Sequence, residues 1–137
     1  MRNTHFANFD GLPWPTEYTT YSSPRDLITL GLAAMKLPAF RAIVGQRAHY
    51  VAATAQHRTY FWRNTNQLLG FYAGAFGIKT GFTHGAGHSL LFEAKRHGQT
   101  LIGVVLDSSA TSRAASFADA ARMLNWGFAS RAARLAA

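Results

Sequence analysis

The chain has 137 residues, 48% hydrophobic and 15% charged, with a formal net charge of +8 and no cysteine. That length holds at most one domain with a real core, and the apolar share excludes an intrinsically disordered chain. The lack of cysteine excludes disulfides and thiolate metal sites, and no apolar run reaches the ~18 to 20 residues of a membrane-spanning helix. The charge has three readings: an anionic partner such as nucleic acid, an acidic surface, or simply a basic proteome.

Residues 1 to 22 are rich in Asn, Pro, Thr, Tyr and Ser and read as irregular, with Pro13-Trp14-Pro15 forbidding regular structure locally. No apolar stretch follows Met1-Arg2-Asn3-Thr4-His5, so the start does not read as a signal peptide. Ser23 is a suitable N-cap, Pro24 suits the first helical position, and Asp26 complements the positive helix end. A helix is therefore predicted from there, with Leu27, Leu30, Gly31 and Ala34 as its apolar stripe and an end before Pro38. A short helix at Pro38 to Val44 follows, closed by Gly45.

Arg47 to Thr54 is a candidate strand, with Tyr60 to Arg63 as its partner, and Asn64 to Leu69 reads as a turn entering a short helical piece. Gly70, Gly74 and Gly77 punctuate a loop. Three strands follow, Phe76 to Phe82, Ser89 to Arg96 and Thr100 to Asp107, with a turn at His97-Gly98-Gln99. Leu101 to Leu106 is apolar enough to be buried on both faces. Ser112 then caps a closing helix to about Trp126, with Phe117, Ala120, Ala121 and Leu124 on one face and Gly127 at its end. The basic tail from Ser130 to Ala137 is expected to fray. Loop, helices, strands, helix is an α+β order: an antiparallel sheet backed by a carboxy-terminal helix.

The chemistry concentrates at Lys79-Thr80-Gly81 on the first of the three strands. Lys79 supplies a cation, Thr80 a hydroxyl, and Gly81 leaves space for another backbone. Such a strand can hold a carboxylate and pair with an extended peptide. The bland alternative is a solvated lysine on an edge strand.

The surrounding residues narrow that choice. Gly77-Ile78-Lys79-Thr80-Gly81-Phe82-Thr83 followed by Ala86-Gly87 resembles the third motif of the serine D-alanyl-D-alanine carboxypeptidases, the low-molecular-weight penicillin-binding proteins. Asn3-Thr4-His5-Phe6 with Asn8 and Asp10-Gly11-Leu12, Pro24-Arg25-Asp26-Leu27, Trp62-Arg63-Asn64-Thr65-Asn66 with Leu68-Leu69, and Leu124-Asn125-Trp126-Gly127-Phe128 extend the resemblance in the family's order over almost the whole chain. It implies a partial β-lactamase/transpeptidase-like fold. It also implies that Lys79, Thr80 and Gly81 bind the terminal carboxylate of a peptidoglycan stem peptide ending in D-Ala-D-Ala, or a β-lactam. The backbone N–H of Phe82 would be one oxyanion-hole donor. The resembled enzymes use no cofactor or metal and work in the periplasm or cell envelope, and no nucleic-acid partner is expected.

The family's nucleophile lies in a Ser-x-x-Lys, where serine and lysine share a helix face so that the amine takes the hydroxyl proton. No serine here has lysine three residues later, and no Ser-x-Asn, the second motif, occurs. Residues 1–137 are therefore expected to be one partial domain, the carboxy-terminal portion of a catalytic domain, and inactive alone. Its apolar third strand would lack a neighbour and invite self-association. The pattern also departs from the family at Phe76, commonly Asp, at Phe9, commonly Pro, and at Ser116, commonly Arg, for which Arg113 one turn earlier is the substitute. Two other functions stay open: a non-catalytic binder of D-Ala-terminated peptides and a basic nucleic-acid-binding module.

Smaller signals carry less. Gly85 and Gly87 between His84 and His88 argue against a helical zinc pair, and His49 and His57 have no acidic partner nearby in sequence. Trp14, Trp62 and Trp126 read as core or cleft aromatics.

Overall fold

Ser23 turns the irregular amino-terminal segment into helix α1 (Pro24–Ala34) in the computed structural model, which describes residues 1–135 and their side chains through Arg131. The Ser23 backbone is extended and its hydroxyl accepts the Asp26 N–H at 3.2 Å, while Pro24 sits where a helix has no use for a donor. The inward face of α1 runs from half-buried Leu27 and Ile28 through buried Gly31 to buried Met35. Leu30, expected in that stripe, is 39% exposed, because the face set by Gly31 and Met35 leaves it on the solvent side. Helix α2 (Pro38–Val44) begins at its proline and is capped by Gly45, as expected.

Strands β1 (Ala48–Val51) and β2 (Tyr60–Arg63) form a separate antiparallel hairpin, with Val51 opposite Tyr60. β1 is shorter than the expected strand because its end turns away, with the Thr54 N–H bonded to the His57 carbonyl. A single turn of helix, α3 (Leu68–Phe71), leads to the main sheet. Its strands β3 (Ala75–Thr83), β4 (Gly87–Arg96) and β5 (Gln99–Val105) lie antiparallel in sequence order. His97 and Gly98 both take positive φ in the two-residue β4–β5 turn, the geometry that matches strand twist.

The core lies between the sheet and helix α4 (Arg113–Leu135). Leu90, Phe92 and Ala94 of β4 meet Phe117, Ala120 and Leu124 of α4, with Leu68 and Tyr72 closing the end. Burying a side chain such as Phe92 or Leu124 contributes roughly 1.5–3 kcal/mol. Phe92 lies across from Gly103, where a Cβ would come within 2.5 Å of its ring. β5 is covered on both sides, by α1 where Ile102 meets Gly31 and by α4 where Leu101 meets Gly127.

α4 does not stop near Trp126 but runs through Gly127 to Leu135. Gly127 faces Leu101 Cδ1, 2.8 Å from where a Cβ would sit, so it permits close helix–sheet approach rather than ending the helix. The tail expected to fray is helical as far as Leu135, while Ala136 and Ala137 lie outside the described residues. Of the tryptophans read as core or cleft aromatics, none is in the core, since Trp14, Trp62 and Trp126 are 73%, 52% and 74% exposed, but Trp62 does line an open hollow. Trp14 stands between two prolines in irregular chain, Trp62 on the uncovered hairpin, and Trp126 on the outward side of α4.

Candidate functional site

Lys79 and Thr80 stand near the middle of β3, which pairs only with β4 among the described residues and so leaves its other edge toward a groove. Lys79 is exposed and its Nζ donates to the Thr80 carbonyl at 2.5 Å. Thr80 Oγ1 shares a hydrogen with Thr65 Oγ1 at 2.9 Å. Around Gly81 the protein leaves space: a Cβ there would meet only Ser89 Cβ, at 4.0 Å. Phe82 is 45% exposed, stacked on its cross-strand partner His88 at 4.2 Å between ring centroids and edge-on to His84 at 5.6 Å.

The segment before β3 pins it. Asn64 Nδ2 donates to the Gln46 carbonyl at 2.9 Å and its Oδ1 accepts the Asn66 N–H at 2.9 Å. Asn66 is buried, donates to the Gly77 carbonyl at 2.7 Å and accepts the Leu68 N–H at 3.1 Å. Asn66 thus fixes where β3 begins, and Asn64 ties that point to the end of α2. Phe76, where the resembled family commonly has Asp, offers its ring to the Arg41 guanidinium at 4.3 Å. Arg41 finds a carboxylate on β4 instead, with Nη2 2.9 Å from Oε1 of buried Glu93, as an ion pair without aligned hydrogen-bond geometry.

The amino-terminal segment forms the facing wall. His5 and Tyr21 exchange backbone hydrogen bonds of 2.9 and 3.0 Å. Asn8 accepts the Gly11 N–H and donates to the Leu12 carbonyl, and Asp10 accepts the Leu12 N–H, folding Asn8 to Leu12 into a self-bonded loop. Asp26 anchors this wall to α1 by accepting from Thr4 Oγ1 and the Asn3 N–H, both at 2.8 Å. Those bonds, the Thr4 hydroxyl first, hold the Asp26 carboxyl below the usual carboxylate range. Its sequence role as a helix-end charge was legible, but its anchoring role was not.

Between the walls lies an open groove of about 1000 Å³. Lys79, Thr80, Gly81 and Phe82 line it together with Asn8, Asp10 and Tyr18. Arg113 lines it as well, placing a second cation there, and so does Ser116, largely buried and donating to the Arg113 carbonyl at 2.9 Å. The groove therefore offers two cations, hydroxyls including that of Thr80 and an uncrowded strand edge on one side, with the carboxylates of Asp10 and Glu17 also in its lining; the Lys79–Thr80 edge suits an extended peptide with a free carboxylate. The closing residues have structural duties: Asn125 Oδ1 accepts the Tyr72 hydroxyl at 2.8 Å, and Arg96 packs over Tyr72 and Phe128. Burial raises the pKa of the Tyr72 hydroxyl. His49 is exposed and His57 half-buried on the hairpin, away from this groove.

The profile of a protein family described as D-alanyl-D-alanine carboxypeptidase matches residues 1–110. A D-alanyl-D-alanine carboxypeptidase of Streptomyces sp. (strain K15) is 43% identical over 133 residues, covering 94% of this chain and 44% of that protein. A D-alanyl-D-alanine endopeptidase of Escherichia coli is 32% identical, covering 92% of this chain and 39% of that one. The crystal structure of the Streptomyces K15 DD-transpeptidase superposes with a TM-score of 0.84 at 42% identity, over 94% of this chain and 49% of that one. A D-alanyl-D-alanine carboxypeptidase from Mycobacterium tuberculosis superposes at 0.79 with 28% identity, over 93% and 47%. The chain spans less than half the length of each protein in these comparisons.

Proposed function

Because the chain belongs to the D-alanyl-D-alanine carboxypeptidase family, we propose that it supplies the carboxylate-binding wall of a serine acyl-transfer site acting on peptidoglycan stem peptides. Its fold is the corresponding part of the penicillin-recognising transpeptidase fold. The observation that carries the proposal is the groove in which Lys79, Thr80 and Gly81 face a wall built by the amino-terminal segment. In this reading Lys79 and Thr80 hold the terminal carboxylate of a D-Ala-D-Ala peptide or a β-lactam, assisted by Arg113. Gly81 admits the peptide backbone and the Phe82 N–H polarises the scissile carbonyl. The reaction, removal of the terminal D-Ala, needs a serine activated by a neighbouring base, and no Ser-x-x-Lys occurs in these residues. Residues 1–137 then form the carboxy-terminal portion of one catalytic domain, and the complete enzyme works in the cell envelope. No single helix among the described residues is long and apolar enough to cross a membrane.

Fluorescent penicillin tests this reading. The 137-residue chain alone forms no covalent adduct by intact-mass detection, and fusion to a family segment bearing Ser-x-x-Lys and Ser-x-Asn restores labelling. In that fusion Lys79→Ala slows acylation by about 10²–10³-fold, the scale of losing one electrostatic contact to the transition state. A stoichiometric adduct on the chain alone, or full labelling of the Lys79→Ala fusion, contradicts the proposal.

A further inference from the structure

Phe82 and His88 are cross-strand partners on β3 and β4. The His88 N–H donates to the Ser109 carbonyl at 2.8 Å, and the His88 carbonyl accepts the Ser108 N–H at 2.9 Å. Both backbone groups of His88 thus point away from β3. In an antiparallel ladder this makes Phe82–His88 a non-hydrogen-bonded pair, the kind whose side chains come closest. It also turns the N–H and carbonyl of Phe82 away from β4, toward the edge of β3 that borders the groove. The Thr80 carbonyl, two residues earlier, shares that edge and receives Lys79 Nζ there. No ladder bond to β4 holds the Phe82 N–H itself. What bears on Phe82 from β4 is the His88 ring, stacked at 4.2 Å between centroids with planes 25° apart. His88 is well placed to give support, because its two backbone bonds reach the chain that enters α4. In that chain Ser109 Oγ accepts the Thr111 and Ser112 N–H groups at 3.2 and 3.0 Å, and Arg113 is the first residue of the helix. The crossing is tight: at Gly87, with φ +60°, a Cβ would collide with the Asp107 carboxylate.

We infer that His88 is a positioning residue for acyl transfer: its ring sets the direction of the Phe82 N–H, and its backbone ties that donor to the start of α4 beside Arg113. This rests on the role proposed above for the Phe82 N–H. A donor to a developing oxyanion acts only where the charge appears, and a displacement of about 1 Å can cost on the order of 10²-fold in rate. The stack does not itself hold the carboxylate, which falls to Lys79, Thr80 and Arg113. Removing the ring therefore affects the chemical step more than the initial capture of the ligand. Its job is geometric, so another flat aromatic ring at position 88 serves as well as imidazole.

Two measurements test this. Hydrogen exchange of the 137-residue chain, read by mass spectrometry at sub-micromolar concentration, follows Gly81 and Thr83, whose amides carry the ladder bonds on either side of Phe82. In His88→Ala they exchange about two- to fivefold faster, the scale of one cross-strand aromatic pair, while Phe92 to Ala94 are unchanged. His88→Phe returns them to the parent rate. In the fusion that penicillin labels, His88→Ala lowers the limiting acylation rate by about tenfold, less than the loss of a whole donor, and leaves the half-saturating concentration within about twofold. His88→Phe restores the rate. A His88→Ala fusion that acylates like its parent while Lys79→Ala is slow overturns this inference alone, whereas full labelling of Lys79→Ala overturns the reading beneath it. His88→Phe behaving like His88→Ala also overturns the inference, because the effect then belongs to imidazole chemistry and not to stacking. Unaltered exchange at Gly81 and Thr83 does the same, and that measurement needs no nucleophile.

Discussion

Asp26 shows how one carboxylate serves two elements, capping the charge of α1 and holding Asn3 and Thr4 against it. Its folded pKa lies below the unfolded value of about 3.9, so the anchor is fully formed above that pH. It is lost as pH falls through the lowered folded value. Asp26→Asn is therefore expected to destabilise the protein at neutral pH, and the gap from the parent should close in acid below about pH 3.9. Denaturant titrations of both proteins at a series of pH values check this; a gap that persists undiminished in acid denies the anchor its charge. At this scale the sequence was partly legible. Lys79 stood out because a cation, a hydroxyl and a glycine lay in a row on a plausible strand. Asn66 did not, because nothing in its neighbours says that its amide will be buried against the Gly77 carbonyl.

Among the elements, those with unambiguous ends were legible. Pro38 and Gly45 delimit α2 by conformational rules that need no tertiary partner. The end of α4 was not, since whether Gly127 stops a helix or admits a neighbour depends on Leu101, more than twenty residues away in sequence. The same ambiguity attends Gly103, an apparent weak point in β5 that is the seat of the Phe92 ring. Gly103→Val should force Phe92 off its rotamer and destabilise the protein by about 1–3 kcal/mol, the usual scale of overpacking. A thermal melt measures it, and an unchanged midpoint means that the ring has room to move. The choice between core and cleft for the tryptophans was not legible for a related reason: burial follows from what covers a face, and no local pattern announces that Trp62 lines an open hollow.

In the molecule as a whole, β5 has one strand neighbour among the described residues, and its other edge is free to pair. The strand is mostly apolar, so association at micromolar concentration is the expected behaviour of the isolated chain. Light scattering decides this, and a monodisperse, cooperatively melting monomer counts against it. The fold class was legible from the order of periodic segments, whereas the division of labour between its halves was not. The main core cluster draws its buried members from Leu68 onward, all from α3, the chain just after it, the three-stranded meander and α4. The first helices lean on that body through Gly31 against Leu91 and Ile102, Val44 and Gly45 against Gly77 and Phe76, and the Arg41–Glu93 pair. The protein should therefore open in stages under native conditions. Backbone amides of Leu90 to Ala94 should exchange with deuterium slowest, near the rate set by global unfolding, while those of residues 1 to 22 and of the β1–β2 hairpin should exchange orders of magnitude faster. If that ordering holds, the wall facing Lys79 is a hinged leaf that breathes while the strand bearing Lys79 stays closed, and a peptide entering the groove would meet one rigid side and one that yields.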